Sequence, residues 1–241
     1  MQPRQIKHYA KAKMRAPVPN AIVIGLVFYL ILSVLGKINQ AITMGPFLNE
    51  AMGDPERLYQ LLENGYTPDI SPVGYLLYLA IEIVSTILSF GFMIYCLSIS
   101  RDCTAGIGTL FDGFGLFFKV IWLYIRMGLI IFLWSLLFVV PGIIAAYNYR
   151  QAAYILIDHP EWSAKQCMRE SKRIMAGNKF DLFWLDLSFI GWSLLSLFPF
   201  VSVYVLPFAE TSYAIFYNRI IHWNPIEPET PTLSEKAPWE Y

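Results

Sequence analysis

Residues 141–192 read PGIIAAYNYRQAAYILID, then HPEWSAKQCMRESKRIMAGNKF, then DLFWLDLSFIGW. The central block, between two apolar runs, is the most legible part of the chain. Ser163 followed three residues later by Gln166 forms a capping box, the hydroxyl accepting a free N–H and the side-chain amide reaching back. Trp162 and Cys167 are spaced for a hydrophobic staple across that cap. Gly177 supplies the left-handed residue that ends a helix. Ala164, Cys167, Met168, Ser171, Ile174 and Met175 fall on one face at helical spacing. Lys165, Arg169, Lys172 and Arg173 hold the other, with Lys179 just beyond. A short basic amphipathic helix, within 161–178, is therefore expected to lie in a membrane interface. Its cations either fix topology or bind anionic lipid headgroups, at about 1 kcal/mol per cation near a charged surface.

Composition agrees with a membrane setting. The chain has 241 residues, 56% of them hydrophobic and only 15% charged, whereas soluble domains carry about a quarter charged residues. Eighteen basic residues balance eighteen acidic ones, so nothing points to a nucleic-acid partner. Cys96, Cys103 and Cys167 make neither an even disulfide framework nor a metal-binding spacing. No disulfide is expected.

Working outward, the N-terminal 1–19 carries Arg4, Lys7, Lys11, Lys13 and Arg15 without an acid, and Pro17 and Pro19 close it. An uncharged run follows that is too long for a signal-peptide core. The spans read from hydropathy are 20–37, 73–99, 116–140, 143–158, 181–198 and 203–221. Each long one meets the roughly 20 residues that a crossing needs. The 143–158 run is the weakest, holding Tyr147, Asn148, Tyr149, Arg150 and Gln151. The loop 38–72 is acidic, with Glu50, Asp54, Glu56, Glu63 and Asp69, and is read as a solvated external segment. The tail 223–241 is polar and proline-rich and reads as disordered. The fold class is thus all-α: a polytopic transmembrane helical bundle, 20–222, of about six spans with a short interfacial amphipathic helix.

Loop cations orient it. The N-terminus and the 158–181 connection are cation-rich, and the turns near 141 and 200 have none. Six spans with both termini cytoplasmic, in a cell membrane, satisfy that distribution.

Chemical motifs are lacking. There is no H-E-x-x-H, no G-x-S-x-G and no dinucleotide fingerprint, and the glycines at 106, 108, 113 and 115 lack the Lys and the preceding strand of a phosphate loop. His8, His159 and His222 are scattered. No catalytic residue, cofactor or metal site is expected, and the chain does not read as an enzyme. What stands out is charge inside the spans: Glu82, Lys119, Arg126, Arg150, Asp186 and Glu210. At 1.5 Å per residue, Glu82, Arg126, Arg150 and Glu210 lie about 10–15 Å from a span end, near the middle of a hydrocarbon core about 30 Å thick. Lys119 and Asp186 are closer to the cytoplasmic side. Three acids and three bases at matched depths point to mutual neutralisation, since an unpaired charge there costs at least about 2.5 kcal/mol. The competing reading is a polar path for a small solute, ion or lipid.

Ser171, Met175, Gly177, Asn178, Lys179, Phe183 and Leu187–Trp192, with Pro141–Ile144 before them and Pro207, Thr211 and Phe216-Tyr217 after, resemble the DUF975 family of bacterial integral membrane proteins. The resemblance covers the C-terminal half, and the first half follows by hydropathy alone. Pro207-Phe208 stands where the family often has Pro-Tyr. The resemblance implies a multi-helix membrane fold and no assigned activity, and carries no catalytic residues. The leading expectation is a non-enzymatic membrane protein that acts through anionic lipid headgroups at the cytoplasmic face, or through another membrane protein. The alternative is a transporter, or a transporter subunit, that uses the midplane charges.

Overall fold

The computed structural model describes residues 3–15, 20–51, 70–196 and 198–221. Among these residues the chain is helical, without strands. The elements are α1 (Pro3–Arg15), α2 (Ala21–Ala51), α3 (Pro72–Ser100), a 3-10 segment (Ile107–Leu116) and α4 (Phe117–Leu137). Then follow α5 (Val139–Tyr149), α6 (Ala152–Asp158), α7 (Ala164–Ile174), α8 (Lys179–Leu195) and α9 (Pro199–Ile220). The core of the acidic loop, 52–69, and the tail, 223–241, lie outside the described residues.

Four stretches are long and apolar enough to cross a membrane: Ala21–Gly45, Pro72–Ser100, Ile107–Leu137 and Pro199–Ile220. They correspond to the first, second, third and sixth spans expected from hydropathy. The other two fall short. The 143–158 run is split into α5 and α6, and α8 has 17 residues, about 26 Å of helix against a hydrocarbon core of about 30 Å. Six full spans are thus an expectation that four helices meet by length and composition.

Local chemistry explains where the helices start and how closely they pack. Pro72 occupies the first turn of α3, where its missing N–H costs nothing, and the Ser71 hydroxyl accepts the Gly74 N–H at 3.1 Å. The glycines at 106–115 form the 3-10 segment, which lies back against α3 rather than making a bare connection. The approach is close enough to require glycine on both sides. A Cβ at Gly91 would sit 2.0 Å from the Leu110 carbonyl oxygen, and one at Gly113 would sit 2.6 Å from that of Ile87. Pro207, inside α9, cannot donate to the Val203 carbonyl. α2 passes this point at Gly25, where an added Cβ would lie 3.0 Å from that same oxygen.

The interruption between α5 and α6 has a partner. Where the helix breaks at Arg150–Gln151, backbone groups lose their helical bonds, and Ser171 of α7 serves them. Its hydroxyl donates to the Asn148 carbonyl at 2.7 Å and accepts the Gln151 N–H at 3.2 Å. Ser171 is fully buried.

The ends of the helices gather. α2 and α3 run antiparallel, with Phe28 stacked on Phe92 and Asn39 bonded to Glu82. The C-terminal ends of α3, α6 and α9 meet in one polar knot. Arg101 grips Asp158 with two bonds of 2.6 and 2.8 Å and donates to Asn218 at 2.9 Å. The Tyr217 hydroxyl also donates to Asp158, and Asn218 to Ser100, each at 2.8 Å. Burial opposes the Arg101 charge, but the bond to Asp158 and its negative charge outweigh it and raise the Arg101 pKa. The N-terminal ends of α4 and α8 reach the same end, through Lys119 to the Pro160 carbonyl and Arg219 to Asp181.

Residues 3–15, read from sequence only as a basic terminus, form an amphipathic helix docked there. Ile6, Ala10 and Met14 are buried against the bundle, chiefly on α9. Lys13 pairs with Asp102. Lys7 donates to the Ser188 carbonyl and lies 4.1 Å from the Phe189 ring centre, and burial lowers its pKa.

Candidate functional site

α7 has the cap and the face that its sequence dictates. The capping box closes in both directions, Ser163 N–H donating to Gln166 Oε1 at 2.8 Å. Ala164, Cys167, Met168, Ser171 and Ile174 are buried, and Gly177 takes φ +86°. Trp162 stacks on His159, ring centres 4.1 Å apart, and is partly buried against the cluster that contains Cys167. The basic face divides. Arg173 turns to Glu170, with bonds of 2.8 and 2.5 Å. Those bonds hold the Glu170 carboxyl below its usual pKa. Lys165, Arg169 and Lys172 instead line a groove of about 590 Å³ against α4, and Arg126 comes from α4 to join them. Tyr149, Ser163 and Gln166 add hydroxyl and amide groups, and no carboxylate lines the groove. Lys119 lies in a neighbouring depression that Arg126 and Trp122 also line, with the Arg126 guanidinium 5.7 Å from the Trp122 ring centre. Lys179 does not line the groove.

The six charges read from the spans separate into three places. Glu82 faces α2, where it accepts the Asn39 amide at 2.7 Å. Lys119 and Arg126 face α7 and the loop before it. Arg150, Asp186 and Glu210, from the α5–α6 break, α8 and α9, line one cavity of about 360 Å³. No acid–base pair among the six lies within ion-pair distance in the described structure. Tyrosines mediate instead. Asp186 accepts the hydroxyls of Tyr147 and Tyr213 at 2.9 and 2.8 Å. Glu210 accepts that of Tyr154 at 3.3 Å, and the Arg150 guanidinium lies 5.1 Å from the Tyr213 ring centre.

Arg150 sits at the interruption between α5 and α6, where the Ser171 hydroxyl serves the Asn148 carbonyl and the Gln151 N–H, and the backbone at Arg150 and Gln151 stays in the right-handed helical region. Sequence depth arithmetic could not show this, because the hydroxyl that holds the turn sits twenty residues away. The knot of Arg101, Asp158, Tyr217 and Asn218 was likewise not read from sequence. The only available signal was that Arg101 and Asp158 each close an apolar run.

Residues 136–224 match a family model described as a protein of unknown function (DUF975). The chain carries a DUF975 region. The matched region runs from the end of α4 through α9, so it contains all three charged cavity residues and the whole of α7, but not Arg126. No curated protein and no solved structure matches the chain. Among the described residues no group of three or more His, Cys, Asp or Glu is placed to hold a metal ion. The DUF975 description assigns no activity, so the chemistry of the groove and the cavity must carry the functional reading.

Proposed function

We propose that this DUF975 protein is a non-enzymatic, multi-pass membrane protein that binds anionic lipid headgroups at the cytoplasmic face. One observation carries the reading: Arg126, Lys165, Arg169 and Lys172, from two separate helices, line a single groove without a carboxylate. Four like charges brought together without a counter-charge repel one another, and an anion relieves that cost. At about 1 kcal/mol per cation near a charged surface, the set is worth up to about 4 kcal/mol toward an anionic headgroup. Along α4, Leu129, Leu133 and Leu136 follow Arg126 at helical spacing and are exposed. They offer an apolar track for an acyl chain, which favours a phospholipid over free phosphate.

The orientation comes from the positive-inside rule. The basic α1, the Arg101 end of the bundle and the connection before α7 lie together. This supports placing that end, with both termini, in the cytoplasm.

The experiment is lipid retention through detergent purification, read by native mass spectrometry. Phosphatidylglycerol should be retained in preference to phosphatidylcholine, and the triple change Lys165→Gln, Arg169→Gln, Lys172→Gln should abolish the preference without lowering the thermal midpoint. Equal retention of both lipids by the wild type would refute the proposal.

A further inference from the structure

We infer that the cavity between the α5–α6 break, α8 and α9 binds a small zwitterion, its acidic group on Arg150 and its ammonium group toward Glu210 and Gln151. The inference uses none of the groove residues and does not depend on the lipid reading. At about 360 Å³ the cavity lies at the lower end of the range for small-molecule sites.

The argument is an inventory of hydrogen-bonding capacity. Asp186 is held by two tyrosyl hydroxyls, a fixed structural anchor. Arg150 differs: a guanidinium has five N–H donors, and among the described residues its contact is the face of the Tyr213 ring, with no acceptor bonded to it. It is also exposed within the cavity it lines. On the acceptor side, Glu210 receives one hydroxyl, at a long 3.3 Å. Gln151 lines the same cavity, is 1% exposed, and its Oε1 has no donor. A buried acceptor left without a donor costs about 1–3 kcal/mol. The cavity therefore holds spare donors on one residue and spare acceptors on two others.

Single-charge ligands satisfy only half of this. A simple anion would occupy Arg150, leave Gln151 bare and add negative charge beside two carboxylates. A simple cation would leave the guanidinium without a partner. A molecule that carries both groups meets both needs, and the tyrosine faces favour its ammonium end. A purely structural network would instead close its charges into contact pairs, as Arg101 and Asp158 do at 2.6 Å.

The test uses the full-length protein in detergent and a matched probe set: γ-aminobutyrate and β-alanine as zwitterions, butyrate as the anion and butylammonium as the cation. Binding is followed by calorimetry and by the thermal unfolding midpoint. At least one zwitterion should bind and raise the midpoint, with both half-molecules weaker by about tenfold or more, the worth of one charge-assisted hydrogen bond. Arg150→Gln should remove the zwitterion's advantage. Gln151→Leu, which deletes the spare acceptor and keeps the volume, should weaken zwitterion binding and leave butyrate unchanged. Because the probe comparison needs only the wild type, misfolding of a variant does not rescue the idea. No binding by either zwitterion, as expected if a proton on Glu210 alone neutralises the cavity, would overturn it. So would butylammonium or butyrate binding as tightly as the zwitterions.

Discussion

Replacing Ser171 by alanine isolates the contact that serves the interruption between α5 and α6. The hydroxyl is fully buried, donates to the Asn148 carbonyl at 2.7 Å and accepts the Gln151 N–H at 3.2 Å. Alanine leaves that N–H in a helix break with no replacement, at about 1–3 kcal/mol. The carbonyl adds less, because under-satisfied C=O groups are tolerated better than orphaned N–H groups. Alanine's better helix propensity within α7 returns a few tenths, about 0.5 kcal/mol at most. The expected net loss is about 1–3 kcal/mol. The assay is reversible unfolding in mixed micelles, followed by tryptophan fluorescence. Ser193→Ala is the control. Its hydroxyl bonds the Phe189 carbonyl of its own helix at 3.1 Å, so the change should stay within about 0.5 kcal/mol. A Ser171→Ala protein as stable as that control would show that the break does not rest on this hydroxyl.

Other outcomes follow from the same structure. Arg101→Met alone should cost about 1–3 kcal/mol by leaving the part-buried Asp158 with Tyr217 as its remaining donor in the knot, and Arg101→Met with Asp158→Leu should recover part of it. A double-mutant cycle on unfolding midpoints measures this. Gly91→Ala puts a Cβ 2.0 Å from the Leu110 carbonyl oxygen. Overpacking of this kind costs about 1–3 kcal/mol or more, whereas Gly128→Ala, in open space, should be neutral in the same assay. The Glu170 carboxyl, held below its usual pKa by its bond to Arg173, adds a small stabilisation. It is fully present above the unfolded carboxyl value of about 4.3 and lost as pH falls through the lower folded value. The midpoint difference between wild type and Glu170→Gln should therefore shrink to nothing on acidification, and a difference that grows instead would contradict the sign.

The features legible in the sequence are those set by neighbours along the chain. The Ser163–Gln166 box, the buried face of α7 and the turn at Gly177 depend on residues within a turn or two, and the structure shows each of them. Hydropathy likewise located the four long apolar helices. What sequence could not supply was direction around each helix axis. Rise per residue put Glu82, Arg126, Arg150 and Glu210 at similar depths, but depth says nothing about which neighbour a side chain faces. The structure turns Glu82 to Asn39 and Arg126 to α7, and brings Arg150, Asp186 and Glu210 to one cavity. The docking of α1 escaped for a related reason. Ile6, Ala10 and Met14 form an apolar stripe at helical spacing, yet the surface that receives it lies mostly on α9, about two hundred residues later. The split at Arg150–Gln151 is held from outside its own segment, by Ser171.

The central claim is that the groove, rather than the general positive charge of this end, recognises an anionic headgroup. The most direct test compares two single changes that each remove one cation: Arg126→Gln, inside the groove, and Lys179→Gln, outside it. The measurement is the apparent affinity for fluorescent phosphatidylglycerol in detergent micelles at physiological ionic strength. Loss of one groove cation, about 1 kcal/mol, should weaken binding by about fivefold in Arg126→Gln, while Lys179→Gln should change it by less than about twofold, because Lys179 does not line the groove and charge at a distance is largely screened by salt. Equal effects of the two changes would mean that charge alone attracts the lipid, and would contradict the groove as the site.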